Sequence, residues 1–166
     1  MKVIKTVSLI LFFIILFSNK AFNKENKIIL KLNNEIITTV DILNEMRFIS
    51  IVNKEFKNIE KNKKIEIAKN SLIKQKIKFI ELSKFEKTLN IEDNIFENIV
   101  KSYFGNFKID SIKNFELFFE KEDLNVEFVR QKISINTYWN QLIYKKFSKS
   151  VKIDKAEIEK DINKWV

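Results

Sequence analysis

Two short runs of β-favouring residues lie near the start of the chain, within residues 27–38. They stand on either side of Asn33 and Asn34, and asparagine tolerates the positive φ that a tight hairpin turn requires. The pattern therefore predicts a small β-hairpin ahead of a series of helical patterns.

The first helical pattern follows the hairpin directly. Thr38 or Thr39 can cap it, and Asp41 in its first turn favours the helix dipole. Its apolar stripe recurs at helical spacing and contains Val40, Leu43, Met46 and Val52. The very polar residues 55–64 that follow predict a loop or a frayed helix end.

The longest apolar stripe predicts a central helix over residues 64–88, which neither proline nor glycine interrupts. One face carries Ile65, Ala68, Leu72, Ile73, Ile77, Ile80 and Phe85. The opposite face is rich in lysine, as expected for a helix that packs on one side only.

Three more helices follow, and a fourth ends the chain. Asp93 suits the first turn of one, whose buried stripe we predict as Ile95, Phe96, Ile99, Val100, Tyr103 and Phe104. Gly105 is expected to stop it in a left-handed conformation. The next begins at Asp110 or Ser111, a long one begins at Asn125, and the last begins at Asp154. The predicted fold is all-α, a multi-helix domain of about five or six helices with a small N-terminal β-hairpin.

A secretory signal segment is predicted to precede this domain. Lys2 and Lys5 form a basic start, residues 7–17 are apolar apart from one serine, and small and polar residues follow up to Ala21. The apolar run is too short for an ordinary membrane span, which needs about 20 residues. We predict a signal peptide at 1–21 and one domain at 22–166, and an uncleaved anchor is the alternative.

The composition argues against most enzyme classes. The chain has no histidine and no cysteine, and its single glycine is Gly105. These absences remove the commonest general base, the usual zinc ligands, disulfides and a glycine-rich phosphate loop. Paired carboxylates such as Glu92 and Asp93 stand at helix starts, where they offset the dipole. We therefore expect a protein that binds rather than catalyses, with neither a cofactor nor a metal.

The net charge of +9 does not predict nucleic-acid binding. Only Arg47 and Arg130 among the 31 basic residues are arginine, whose planar fork reads guanine and clamps phosphate. The lysines are spread among 22 acidic residues rather than gathered in one stripe. A solvated charged surface explains them, and Arg130 is expected to form a structural ion pair.

The order of the pieces resembles the N-terminal domain of periplasmic chaperones of the SurA type. Residues 28–45 match its strand, asparagine turn, second strand and capped helix, and residues 124–143 match its long helix, including Arg130. Residues 67–85, 89–95 and 151–162 correspond to the intervening and final segments. Glu92 departs from the serine usual at that cap.

This resemblance implies a periplasmic holdase that binds unfolded or extended polypeptides, chiefly outer-membrane proteins. The parvulin-type isomerase domains of the family are absent, so isomerase activity is not implied. A C-terminal segment that packs on this domain in the family is also missing. We therefore expect exposed apolar surface that binds clients, a second copy of the chain or a separate partner chain.

Phenylalanine is abundant, and several such residues lie near loops or outside the cleanest stripes. The candidate client-binding residues are Phe48, Phe56, Phe104, Phe107, Phe118, Phe119 and Trp165. The competing explanation is that most of them are core. Phe118 and Phe119 differ by about 100° around a helix, so at least one is expected to be partly exposed or packed elsewhere.

A different class of function is an adaptor or assembly factor that docks a permanent protein partner. In that case residues 1–17 would stay as an inner-membrane anchor, and membrane contact is expected only then. Asn19 is large for its place before the predicted cleavage site, which favours this alternative. N-terminal sequencing of the exported protein separates the two, because an intact Met1 indicates the tether.

Overall fold

The computed structural model describes residues 26–150, 160, 162 and 163. The predicted signal segment, and most of the predicted last helix with Trp165, lie outside the described residues. Within them the chain forms a two-stranded antiparallel sheet followed by five α-helices, which confirms the predicted fold class.

The hairpin pairs strand β1 (Ile28–Leu32) with strand β2 (Glu35–Thr38). Asn33 takes the turn with φ of 53°, as the sequence predicts. Ile37 is fully buried and packs on the helices, whereas its neighbour Ile36 points to solvent. One face of the hairpin is thus fixed to the helical body.

Helix α1 (Thr39–Val52) begins with a capping box at the predicted place. The Thr38 hydroxyl accepts from the Asp41 amide at 3.3 Å, and the Asp41 carboxylate accepts from the Thr38 amide at 2.7 Å. Two backbone N–H groups that the helix itself cannot satisfy are thereby paired.

Replacing Thr38 by alanine should lower the free energy of unfolding by about 0.5–2 kcal/mol, because the cap is lost. Urea denaturation followed by circular dichroism measures the change. Thr88→Ala is the control, since Thr88 is exposed and caps no helix. Equal denaturation midpoints for Thr38→Ala and the unaltered protein would contradict the assignment of the cap.

A short 3₁₀ helix (Lys54–Asn58) and helix α2 (Lys61–Leu82) follow. The polar segment predicted as a loop or frayed end is therefore partly ordered, because Phe56 within it is buried in the core. Helix α2 also ends earlier than predicted. Phe85 lies beyond its end and is exposed, and Ile77, predicted on the apolar face, is exposed as well.

Helix α3 (Asp93–Phe104) runs directly into a 3₁₀ turn, Gly105–Phe107. The prediction that Gly105 stops the helix in a left-handed conformation is wrong, since its φ is −54°. Lys108 is the left-handed residue, with φ of 60°, and its amide donates to the Gly105 carbonyl at 2.9 Å. The extra turn allows Phe107 to pack back on Phe104, with ring centroids 6.2 Å apart.

The predicted stripe of α3 is too wide. Phe96, Val100 and Phe104, four residues apart, are buried, whereas Ile95 and Tyr103 are 47% and 69% exposed. A helix that packs on one side buries a single row at this spacing, and residues beside the row face solvent.

Helices α4 (Ile112–Lys121) and α5 (Val126–Phe147) complete the body, with caps at Ser111 and Asn125 as predicted. Helix α1 packs on α2, α2 packs on α5, and α3 and α4 pack against each other. The larger core cluster is formed by Ile91, Phe96, Val100, Phe104, Ile109, Phe115, Phe119, Leu124 and Val129. A smaller one joins the hairpin to α1 and α2 through Ile37, Ile42, Ala68 and Leu72.

Candidate binding clefts

The phenylalanines that the sequence indicates as client-binding differ in how deeply they are buried. Phe56, Phe104 and Phe119 are buried, so Phe56 and Phe119 have essentially no surface to offer a client. The other three described candidates, Phe48, Phe107 and Phe118, are half-buried. Of the adjacent pair, Phe119 is fully buried and Phe118 half-buried, as their angular separation predicts.

Three of these rings line one cleft between α1, the end of α3 and α5. We call it the aromatic cleft, and its volume is about 530 Å³. Its lining consists of Phe48, Val52, Tyr103, Phe104, Asn106, Phe107, Lys132, Ile133, Asn136, Thr137 and Asn140. The size lies within the usual range for ligand-binding cavities, about 300–1,000 Å³.

The two sides of the aromatic cleft differ in chemistry. One side presents phenylalanine rings, with Val52 and Tyr103 exposed at the mouth. The other side is part of α5 and carries Asn136, Thr137 and Asn140. The Asn136 carboxamide oxygen already accepts from Lys78 Nζ at 2.7 Å. The Thr137 hydroxyl and the Asn140 amide both donate and accept hydrogen bonds, so this side matches the main-chain groups of a peptide whatever its sequence.

A buried ion pair closes the floor of the aromatic cleft. The Lys132 ammonium lies 2.8 Å from both carboxylate oxygens of Glu45, and the Ser71 hydroxyl donates to Glu45 Oε1 at 2.6 Å. The ammonium is also 5.0 Å from the Phe48 ring centroid. Burial lowers the pKa of Lys132, because the loss of hydration outweighs the attraction of Glu45.

The Glu45–Lys132 pair cannot be predicted from the sequence, although the sequence contains one indication of it. Glu45 falls on the apolar side of α1, three residues after buried Ile42, where a charge needs a buried partner. Nothing in the sequence indicates that the partner is Lys132, which lies 87 residues away. Among the described residues that line the aromatic cleft, Lys132 alone is charged, and Glu45 neutralises it.

A second cleft lies on the other side of α1, between α1, the 3₁₀ segment at residues 54–58 and α4. We call it the basic cleft, and its volume is about 520 Å³. Its lining consists of Leu43, Met46, Arg47, Ser50, Ile51, Lys54, Lys57, Lys64, Phe107, Phe118 and Glu122. Phe107 lines both clefts and separates them.

Arg130 lies away from both clefts and has the structural position that the sequence predicts. Its guanidinium forms an ion pair with Asp93 at the start of α3 and stacks 4.2 Å from the Phe96 ring centroid. Tyr138 on the same helix donates to the Asn90 carbonyl at 2.9 Å. These contacts join α5 to the segment that leads into α3.

Comparison with models of known protein families, with curated proteins and with solved structures yields no match to this chain. Within the described residues, no group of three or more acidic side chains is arranged to hold a metal ion. None of the helices in that part of the chain combines the length and apolar character that a membrane span requires.

Proposed function

We propose that this protein is an exported chaperone, a periplasmic holdase that binds unfolded outer-membrane proteins without catalysing a reaction. The observation that carries the proposal is the aromatic cleft. It joins a row of phenylalanine rings to a row of uncharged hydrogen-bonding side chains, and a charged group at its floor is already neutralised.

Such a cleft fits extended segments of many sequences. An apolar or aromatic client side chain would be buried against Phe48 and Phe107, while Thr137 and Asn140 pair with the client main chain. Binding of this kind is dominated by apolar contact, so it should weaken little with salt. The affinity per segment should be modest because the cleft is open to solvent, which suits a protein that must release its clients.

The resemblance to SurA-type chaperones supports the same proposal. The sequence segments on which it rests coincide with β1, the asparagine turn, β2 and the capped start of α1. The predicted signal segment at 1–21 would deliver the domain to the compartment in which outer-membrane proteins are still unfolded. The tethered adaptor described above is the alternative function.

The test removes apolar surface at the mouth of the aromatic cleft. Val52→Ser combined with Tyr103→Ser should raise the concentration needed to suppress aggregation by about tenfold, since a loss of about 1.4 kcal/mol has that effect. An unfolded β-barrel protein is diluted from urea, and light scattering follows its aggregation.

The matched control is Leu117→Ser with Tyr144→Ser, which removes apolar residues that are somewhat more exposed and lie outside both clefts. It should leave suppression unchanged. The proposal fails if the unaltered protein does not delay aggregation, or if both double variants lose activity equally.

A further inference from the structure

The basic cleft has an apolar floor with an excess of positive charge around it. Met46, Ile51 and Phe118 are half-buried at the floor, so each keeps apolar surface that a ligand can cover. Methionine adapts its shape to different apolar groups. The floor is therefore suited to one or two apolar side chains rather than to an ion alone.

The fold itself directs two lysines toward this floor. Phe56 is buried and fixes the 3₁₀ helix that carries Lys54 and Lys57. A 3₁₀ helix has three residues per turn, so side chains three apart lie on the same side. Lys64 Nζ donates to the Lys57 carbonyl at 2.8 Å, which ties this helix to α2 and adds a third ammonium group.

The positive charge around the floor is not balanced within the described residues. Arg47 pairs with Asp123, at 2.9 Å from its carboxylate. Lys54 and Lys57 form no ion pair with another described residue. Glu122 is the only acidic side chain among the described residues that line the cleft. Like charges held side by side repel each other, and an anionic ligand relieves that repulsion.

We propose that the basic cleft binds an acidic polypeptide segment, separately from the aromatic cleft and beyond the chaperone function proposed above. One or two apolar side chains of the segment cover Met46, Ile51 and Phe118, and flanking carboxylates pair with Lys54, Lys57 and Lys64. The charge also gives this cleft a ligand preference that the neutral aromatic cleft lacks.

The probes are three fluorescent peptides with the same leucine and phenylalanine residues, flanked by glutamate, glutamine or lysine. Fluorescence anisotropy at low and high salt measures their affinities for the purified protein. The glutamate peptide should bind at least about tenfold more tightly than the glutamine peptide at low salt, and the difference should shrink at high salt. The lysine peptide should bind weakest.

The test variant is Lys54→Glu with Lys57→Glu. The control is Lys69→Glu with Lys113→Glu, which changes the net charge by the same amount at exposed positions outside both clefts. Only the first should lose the preference for glutamate. Equal affinities for the three peptides, or an equal loss in both variants, would overturn the proposal. So would tighter binding to vesicles of anionic lipid that the first variant abolishes. Suppression of barrel-protein aggregation should survive Lys54→Glu with Lys57→Glu, so the two proposals can fail independently.

Discussion

Replacing Glu45 by leucine should lower the free energy of unfolding by about 3–5 kcal/mol. The substitution leaves the Lys132 ammonium buried without its carboxylate, so the full cost of dehydration remains. Chemical denaturation at neutral pH measures the loss. Without Glu45, whose attraction raises the pKa of Lys132, burial should lower that pKa further below its ordinary value of 10.5. The folded variant then binds fewer protons than its unfolded chain, so the loss should shrink as pH rises toward 10.5.

A second substitution, Lys132→Met, distinguishes the cost of the unpaired Lys132 charge from the cost of altered packing at position 45. In the double variant with Glu45→Leu, two apolar side chains of similar length replace the pair, and much of the stability should return, since buried pairs often exchange for apolar groups at little cost. Ser71 can then bond to a carbonyl of its own helix. A double variant as unstable as Glu45→Leu alone would show that packing, rather than the unpaired charge, causes the loss.

Phe119→Ala should also cost about 3–5 kcal/mol, the usual range for a buried aromatic residue. Its ring is fully buried and lies 4.9 Å from the Phe115 ring, 5.5 Å from the Phe104 ring and 5.1 Å from the Phe118 ring, between centroids. Alanine would leave a cavity that helices α1, α3 and α4 cannot close, because the surrounding rings of these helices hold one another in place.

Two further alanine variants serve as comparisons for the loss of stability in Phe119→Ala. The free energy of unfolding of each variant is measured by thermal or urea denaturation. Phe118→Ala should cost clearly less, since that ring is only half-buried. Phe85→Ala should cost less than about 1 kcal/mol, because Phe85 is 55% exposed, although Lys146 Nζ lies 4.8 Å from its ring centroid. Similar losses at Phe118 and Phe119 would contradict the placement of Phe119 at the centre of the core.

Features that depend on local chemistry could be predicted from the sequence. The turn at Asn33 and the caps at Thr38, Ser111 and Asn125 each depend on a side chain within a few residues of the backbone group that it serves. The ion pair predicted for Arg130 is confirmed as well, with Asp93 at the start of α3 as its partner.

Features that depend on which surfaces of the helices meet in the fold could not be predicted from the sequence. Ile77 and Phe85 continue the apolar stripe of α2 in the sequence, yet both remain more than half exposed, and the Phe85 ring is approached by the Lys146 ammonium of α5 at 4.8 Å. Gly105 allows a left-handed stop, but the packing of Phe107 on Phe104 favours another helical turn. The Glu45–Lys132 pair joins α1 to α5, and only the tertiary fold brings them together. The two clefts cannot be predicted from the sequence for the same reason, since each is lined by residues from at least three segments of the chain.

Phe107 lies between the two clefts and lines both of them. A ligand that turned this ring to enter one cleft would change the shape of the other, and the two occupancies would then be linked. The linkage is reciprocal: a segment in the basic cleft alters the affinity of the aromatic cleft by the same factor as the reverse. An acidic segment bound on one side of α1 would thus act as an effector that sets how firmly clients are held on the other.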